Sequence, residues 1–432
     1  MKKQIGEREL VLAVLLAVEQ GEKSHIALGQ VLEKYQYLEK RERAFVTRVV
    51  QGTLERQLEL DYLIDQVSKV KTAKMKPVIR CILRSALYQI KYMDNVPDSA
   101  ACNEAVGLAV RKGFASLKGF VNGVLRNLAR RIEQIPYPQK ERTEEYLSVA
   151  YSMPRWIVKM WISDYGEERT EQMLAGFFEE RPTVIRVNEN KLTKEELKKV
   201  LESEGVTVEE HPHVASALLI SGYDYLGSLG SFREGDFQVQ DAASILVAEN
   251  AGIRPGDYVL DVCAAPGGKA LHAAQLLAGT GHVEARDLTE YKVALIQENI
   301  DRMGFSNIEA VRWDALEPDG RSREKADVVL ADLPCSGLGV LSKKADIKYR
   351  VMKESIQELA QLQRQILEVV RDYVKPGGSL VYSTCTVCRL ENEENARWFA
   401  ENFTEFSLEE ERQIFPARDT DGFYIARFRR CR

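Results

Sequence analysis

The chain has 432 residues, more than one hydrophobic core organises, so two to four domains are expected. With 45% hydrophobic and 29% charged residues it has the balance of a folded globular protein, which excludes a disordered chain. The formal net charge of −5 is unevenly placed: residues 1–135 carry 23 Lys and Arg against 15 Asp and Glu, a balance of +8, and the remainder carries −13.

Lys2 and Lys3 ahead of the apolar run Leu10–Val18 have the outline of a secretion signal. Glu7, Arg8 and Glu9 interrupt the approach and no small-residue cleavage site follows Glu19, so a buried first helix is expected instead. No run reaches the ~18 apolar residues of a membrane span, and no membrane partner is expected. Residues 4–133 read as helices, with apolar residues at helical spacing in Arg43–Leu60, Lys76–Met93 and Ala100–Lys112. Between Lys69 and Lys91 lie seven basic residues and no acidic one. Such a run serves either as a solvated face or as a grip on an anionic partner such as nucleic acid. Pro136-Tyr-Pro138 marks a linker.

Residues 145–175 read as helical again around Trp156, Trp161 and Tyr165. Residues 183–250 mix the short strands Thr183–Val187 and Ala217–Ser221 with a helix at Lys194–Glu204, a small α+β insert. From residue 256 strands and helices alternate. Strands are expected at Asp257–Cys263, Gly281–Asp287, Ile308–Asp314, Ala326–Asp332 and Ser379–Cys385, with helices at about 268–278, 290–303 and 353–374. That alternation predicts a doubly wound parallel sheet, to which Phe423–Phe428 could add an edge strand. The expected domains are a helical one at 1–138, linking helices with the α+β insert at 139–250, and an α/β Rossmann-like domain at 251–432.

In such sheets ligands bind beyond the carboxyl ends of the strands. The first strand of this domain runs into Cys263-Ala264-Ala265-Pro266-Gly267-Gly268-Lys269, where Gly267 and Gly268 allow a tight turn and close approach of a ligand. Asp287 ends the next strand, 20 residues after Gly267, where a carboxylate can hold ribose hydroxyls. The turn lacks the G-x-G-x-x-G of a dinucleotide site, and Gly268-Lys269-Ala270 fails the P-loop pattern. Asp287, Asp314 and Asp332 at successive strand ends, with no phosphate loop, suit a cationic ribose-bearing cofactor, which S-adenosylmethionine is.

Two cysteines follow predicted strands, in Asp332-Leu-Pro-Cys335-Ser-Gly and Tyr382-Ser-Thr-Cys385-Thr. A thiol beside a carboxylate and a cofactor pocket suggests covalent catalysis, with either thiol open as the nucleophile. A thiolate needs a nearby cation or dipole to form at neutral pH, and Lys269 could supply one. Seven cysteines without a disulfide-framework spacing favour a reducing, cytoplasmic setting. Cys385-Thr-Val-Cys388 matches C-x-x-C, but there is no second pair, and His211 and His213 fall in the insert, so no metal is expected. Cys81, Cys102 and Cys388 read as packed residues and Cys431 as a tail thiol.

Taken together, these segments resemble the RNA cytosine-5 methyltransferases, and within them the bacterial 16S ribosomal RNA type with a NusB-like N-terminal domain. The likeness covers nearly the whole chain. Leu260-Asp-Val-Cys-Ala-Ala-Pro-Gly-Gly-Lys269 is similar to the family's cofactor motif, and Asp332–Gly339 and Ser383-Thr-Cys385-Thr to its two cysteine motifs. Pro182–Asn188, Phe237–Asp241 and Asp421–Ala426 resemble flanking segments. Leu38–Ala44, Gln51–Leu54, Asn103–Val106 and Gly119–Arg126 resemble the NusB-like RNA-binding fold. The chain departs from the family at Leu390-Glu-Asn392, where Glu-Glu-Asn is common, and at Cys388, where a polar residue is common.

The resemblance implies an S-adenosylmethionine-dependent enzyme, acting as a monomer, that methylates C5 of a cytosine in 16S rRNA, at the position called 967. It implies Cys385 as the nucleophile adding to C6 and Cys335 as the group assisting release, with Asp332 near N3 of the ring and Lys269 beside them. It also implies cofactor binding by Cys263, Ala264, Ala265, Pro266, Gly267, Gly268, Lys269, Asp287, Asp314 and Asp332. The same chemistry on another rRNA position or on tRNA is the nearest alternative. A non-catalytic RNA-binding protein is another, against which the intact Asp332, Cys335 and Cys385 argue.

Overall fold

The computed structural model describes residues 5–35 and 38–431. Lys2, Lys3 and residue 4, where the expected helical stretch begins, lie outside them. The chain divides into two compact units, Met1–Ala175 with Leu341–Arg350, and Gly176–Val340 with Val351–Arg432.

The first unit is helical. The apolar run of the N-terminus lies in the helix Glu7–Glu19, which buries Leu10, Val11, Leu12, Val14 and Leu15. The helix Pro77–Tyr92 opens on proline, whose missing N–H costs nothing at that position. It buries Ile79, Ile82, Leu83, Ala86 and Leu87 in the same core. The stretch expected as one helix over Arg43–Leu60 is two, Lys40–Glu55 and Gln57–Val67. Ser152 explains the break: its hydroxyl oxygen accepts the Leu58 N–H at 2.8 Å, satisfying a donor at the start of the second helix.

The Pro136–Pro138 segment, read as a linker from the sequence, has neither helix nor strand and is pinned. Tyr62 Oη donates to Pro136 O at 2.7 Å, and Tyr137 Oη donates to the buried Glu59 carboxylate. The segment Leu341–Arg350 is also built into this unit: Tyr349 Oη donates to Leu54 O at 2.9 Å and Lys348 Nζ to Glu55 O at 2.8 Å. Burial pulls the Lys348 ammonium down to about 7.

The basic stretch Lys69–Lys91 divides into two kinds of side chain. Arg84 is buried, bonded to both oxygens of Asp61 at 2.7 and 2.6 Å and to Glu19 at 2.8 Å, and Arg80 is paired with Glu19. Lys69, Lys71, Lys74 and Lys76 sit at exposed positions. The surface charge of the stretch therefore comes from lysines, while two of its arginines hold helices together. A cavity of about 370 Å³ in this unit is lined by Arg80, Arg84 and Arg350, and by Glu19 and Asp346.

The second unit holds two sheets. Strands β1 (Thr183–Val187), β2 (Thr207–Glu210), β3 (Ala217–Ser221) and β4 (Phe237–Val239) form an antiparallel sheet in the order β2-β3-β1-β4. With the helix Lys194–Ser203, capped by Thr193 in a capping box with Glu196, they make the α+β insert.

The larger sheet comprises β5 (Tyr258–Asp261), β6 (His282–Asp287), β7 (Ile308–Arg312), β8 (Ala326–Asp332), β9 (Val374–Thr384), β10 (Phe406–Ile414) and β11 (Phe423–Arg430). Its order is β10-β11-β9-β8-β5-β6-β7. Five strands are parallel, as expected, but β10 and β11 run antiparallel, so the sheet is mixed. Phe423–Phe428 is not the edge expected from the sequence: β11 lies between β9 and β10, and β10 forms the edge. β10 reads poorly in sequence because its run Glu409-Glu410-Glu411-Arg412 is that of a solvated strand, and among the described residues no strand pairs with its outer edge. The strand order reverses between β5 and β8, which puts the ligand crevice beyond their carboxyl ends.

Candidate active site

Register brings the two cysteine motifs together. β8 and β9 pair in parallel with Asp332 opposite Ser383, and the ladder continues with Leu333 N–H donating to Ser383 O at 3.0 Å. Cys335 and Cys385 therefore lie three and two residues past the same rung, and their sulfurs stand 3.3 Å apart. Backbone bonds lock the two loops: Gly339 N–H donates to Cys385 O at 3.1 Å and Gly422 N–H to Gly339 O at 2.9 Å. A Cβ on Gly339 would overlap Gly422 O and come within 2.8 Å of Cys385 O, so only glycine fits there.

Beside the sulfurs, Asp332 Oδ2 accepts from Lys269 Nζ at 2.6 Å and Oδ1 from Ser383 Oγ at 2.9 Å. Lys269 lies in the first turn of the helix Gly268–Leu276, and its ammonium lies 5.2 Å from the centre of the Phe423 ring. Burial works against its charge, but Asp332, Asp261 and Cys385 outweigh that and hold it above the ordinary lysine value. A cation thus stands among the thiols and carboxylates. Burial disfavours the charged form of Cys335 as well: its bond to Cys385, desolvation, and the charges of Cys385, Glu391 and Asp332 push the thiol well up.

The glycine turn follows β5. Gly267 has φ +108°, a left-handed conformation that favours glycine. Ala264 N–H donates to Arg286 O at 2.8 Å and Gly267 N–H to Ala264 O at 2.6 Å, tightening the turn. The Ala265–Pro266 peptide is cis. Asp287, buried at the end of β6, accepts from Ala265 N–H at 3.1 Å, Leu288 N–H at 2.8 Å and Lys292 Nζ at 3.0 Å. It therefore braces the turn as well as facing the crevice end of its strand. Asp314 follows β7, half-buried, with Oδ1 accepting from Leu316 N–H at 2.9 Å.

Three residues that sequence reading passed over belong to this site. Asp261, at the end of β5, is 1% exposed, and its Oδ2 has no hydrogen-bond partner among the described residues. Desolvation raises its carboxyl to about 7. Ser383 holds Asp332, and Glu391 bonds the residue after Cys335. Asp261 and Ser383 both stand inside the motifs already singled out; their signal is the carboxylate or hydroxyl at a strand's last rungs. Glu391 lies in Leu390-Glu-Asn392, noted in the sequence only for its departure from the family pattern.

The residues fit S-adenosylmethionine. A left-handed glycine opens a helix whose first N–H groups lack intrahelical partners, and an orphaned buried carboxylate oxygen and further carboxylates stand at adjacent strand ends. Carboxylates without a phosphate-binding loop suit a sulfonium and ribose. Among the described residues no group of three or more His, Cys, Asp or Glu could hold a metal ion.

This fold and site define an S-adenosylmethionine-dependent methyltransferase. Comparison with known families and proteins narrows it. The family described as 16S rRNA methyltransferase RsmB/F matches residues 250–429, the NusB family matches 6–130, and an RsmF/B-like ferredoxin-like domain matches 153–223. The chain is 35% identical to the probable ribosomal RNA small subunit methyltransferase B of Bacillus subtilis, covering 99% of each. It is 31% identical to the protein of the same name from Synechocystis, over 99% of this chain and 100% of that one. The crystal structure of PH0851 matches with a TM-score of 0.82 at 27% identity, covering 99% of this chain and 100% of that chain. That of NSun6 from Pyrococcus horikoshii with SFG shares the fold at a TM-score of 0.58 and 22% identity, covering 65% of this chain and 98% of that one. The chain belongs to the RsmB/F family of 16S rRNA methyltransferases.

Proposed function

We propose that the protein methylates C5 of a cytosine in 16S rRNA through a covalent bond between Cys385 and C6. The observation that carries this reading is the pair of sulfurs 3.3 Å apart beside the Lys269–Asp332 ion pair. C5 of cytosine is a poor nucleophile. Addition of the Cys385 thiolate to C6 forms the S–C6 bond and leaves the C5 carbon electron-rich, splitting one hard step into easier ones. Negative charge that builds at N3 is offset by the Lys269 ammonium, and Asp332, held by Ser383 and Lys269, assists there by donating a hydrogen bond to N3 when its carboxyl carries a proton. Bound S-adenosylmethionine supplies the methyl group, held by the 263–269 turn, Asp287, Asp314 and Asp332. Loss of the C5 proton to a base then restores the ring double bond, and the S–C6 bond breaks. Cys385 leaves as a thiolate that accepts a hydrogen bond from the Cys335 thiol.

The target base must leave its stack to reach the sulfurs, which favours single-stranded or loop RNA. The names of the Bacillus subtilis and Synechocystis relatives support small-subunit rRNA as the substrate. Bisulfite sequencing of rRNA from cells with and without the gene tests the reading. Loss of one 5-methylcytidine in 16S rRNA is expected; a loss in tRNA would move the substrate, and no loss would overturn the chemistry.

A further inference from the structure

Behind the two cysteine loops lies a buried carboxyl that the proposed chemistry does not use. Glu391 is fully buried, and its Oε2 accepts the Ser336 N–H at 2.8 Å and the Gln363 amide at 3.1 Å. Its Oε1 accepts the Ser336 hydroxyl at 2.5 Å. Ser336 Oγ is also 2.7 Å from Thr386 Oγ1, which in turn accepts the Leu338 N–H at 3.3 Å. Ser336 and Thr386 are the residues immediately after Cys335 and Cys385. One carboxyl thus ties together the two loops that carry the sulfurs.

The hydrogen bonds that reach the Glu391 carboxylate come from neutral donors, and Arg364, on the same helix as Gln363, donates to Asn395 Oδ1 at 2.7 Å. Gln363 comes from the helix Lys353–Val370 and donates as well to Pro334 O at 2.8 Å. Tyr382 from β9 donates to Glu391 O, Cys388 adds a thiol, and Asn395 Nδ2 holds Gln363 Oε1 at 2.8 Å. Burial raises the Glu391 carboxyl, and the bonds from Ser336, Gln363 and Cys388 offset only part of that rise. A buried charge neutralised only by neutral donors acts strongly on its neighbours, because the low-dielectric interior screens it little. Glu391 acts on the ionisable groups Cys335 and Tyr382 and is bonded by Cys388; Asp332 and Cys385 act on Cys335 as well.

We propose that Glu391 is a positioning residue: through Ser336 and Thr386 it sets the two sulfurs in register, and its charge keeps the proton of the pair on Cys335 so that Cys385 attacks. This rests on the reading of the cysteines given above. It supplies the inequality that a symmetric pair of thiols lacks. No electron transfer is involved; a proton is held on one sulfur rather than the other.

The test measures thiol reactivity in the full-length protein without RNA or cofactor. Wild type, Glu391→Gln and Ser336→Ala are alkylated with iodoacetamide across a range of pH, and Cys335 and Cys385 are quantified separately by peptide mass spectrometry. In wild type, Cys385 alkylates ahead of Cys335 at every pH. Glu391→Gln, nearly isosteric, shifts the Cys335 profile to lower pH by about one unit, about tenfold in rate below its midpoint. Ser336→Ala keeps the charge and loses the link, so the Cys335 midpoint stays while methyl transfer falls at unchanged cofactor affinity. An unchanged Cys335 profile in folded Glu391→Gln overturns the electrostatic role. Full methyl transfer in Ser336→Ala overturns the register role. A wild type that alkylates in the stated order yet forms no 5-methylcytidine would overturn the reaction and leave the role of Glu391 standing.

Discussion

The sulfur of Cys335 stands 3.3 Å from that of Cys385, across 50 residues of chain. Parallel pairing of β8 with β9, Asp332 opposite Ser383, produces this distance, and the Gly339–Cys385 and Gly422–Gly339 backbone bonds hold it. Two thiols at this separation share one proton readily, so their roles are decided by what surrounds each one.

Cys385→Ala is expected to abolish methyl transfer and to leave S-adenosylmethionine binding intact by calorimetry. Cys335→Ala is expected to retain bond formation and to accumulate a protein–RNA adduct that survives denaturing electrophoresis. An adduct from Cys385→Ala in place of Cys335→Ala would reverse the two roles.

Lys269→Met removes the ammonium 2.6 Å from Asp332 and leaves that carboxylate without its cation. Single-turnover methyl transfer should fall by about 10²-fold or more, in line with the loss of one preorganised charge partner. Affinity for the cationic cofactor should hold or rise, because a like charge has been removed. A fall in affinity equal to the fall in rate would show that Lys269 acts on binding alone.

Asp287 braces the turn through Ala265 N–H and carries the carboxylate at the end of β6. Asp287→Ala should weaken cofactor binding by about tenfold or more while RNA affinity changes little, because a buried N–H loses its acceptor and the ribose its partner. Parallel calorimetric and filter-binding titrations check this, and equal losses in both would contradict it.

Gly339→Ala places a methyl group against Gly422 O and Cys385 O, both backbone atoms that cannot swing away. The loops must separate, and a displacement of about 1 Å at reacting groups costs on the order of 10²-fold in rate. Single-turnover kinetics with unchanged cofactor affinity is the expected signature.

Asp261 is a buried carboxyl with its folded value raised to about 7. Between the unfolded carboxylate range and that value the folded state binds the extra proton, so its contribution to stability is full at low pH and is lost as pH rises toward about 7. The raised value corresponds to a cost of up to about 4 kcal/mol for carrying the charge in the free protein, as an upper bound. Melting temperatures without cofactor should fall as pH rises through this window, and Asp261→Asn should flatten the slope. An identical slope in the variant would show that Asp261 does not control it.

Much of the fold was legible locally. The apolar spacing of Leu10–Val18 and of Lys76–Met93 marks buried helix faces, and the strands Thr183–Val187, Ala217–Ser221 and Ala326–Asp332 were read with their observed bounds. Elements whose signal lies elsewhere in the chain were misread. The helix break at Arg56 goes with Ser152, 94 residues from the Leu58 N–H it takes, and β10 is a charged edge strand that, among the described residues, pairs with β11 alone.

By itself, the sequence determined the chemistry on offer: a glycine turn, carboxylates closing successive strands, and two cysteine motifs, because residue type and strand-end position are local properties. Only the tertiary structure decided how those groups meet. Register across β8 and β9 brought two distant sulfurs into contact, and folding put Lys269 against Asp332 and Glu391 behind Ser336. The physical reason is that proton sharing, ion pairing and desolvation depend on distances of a few ångströms between groups that the chain itself keeps tens of residues apart.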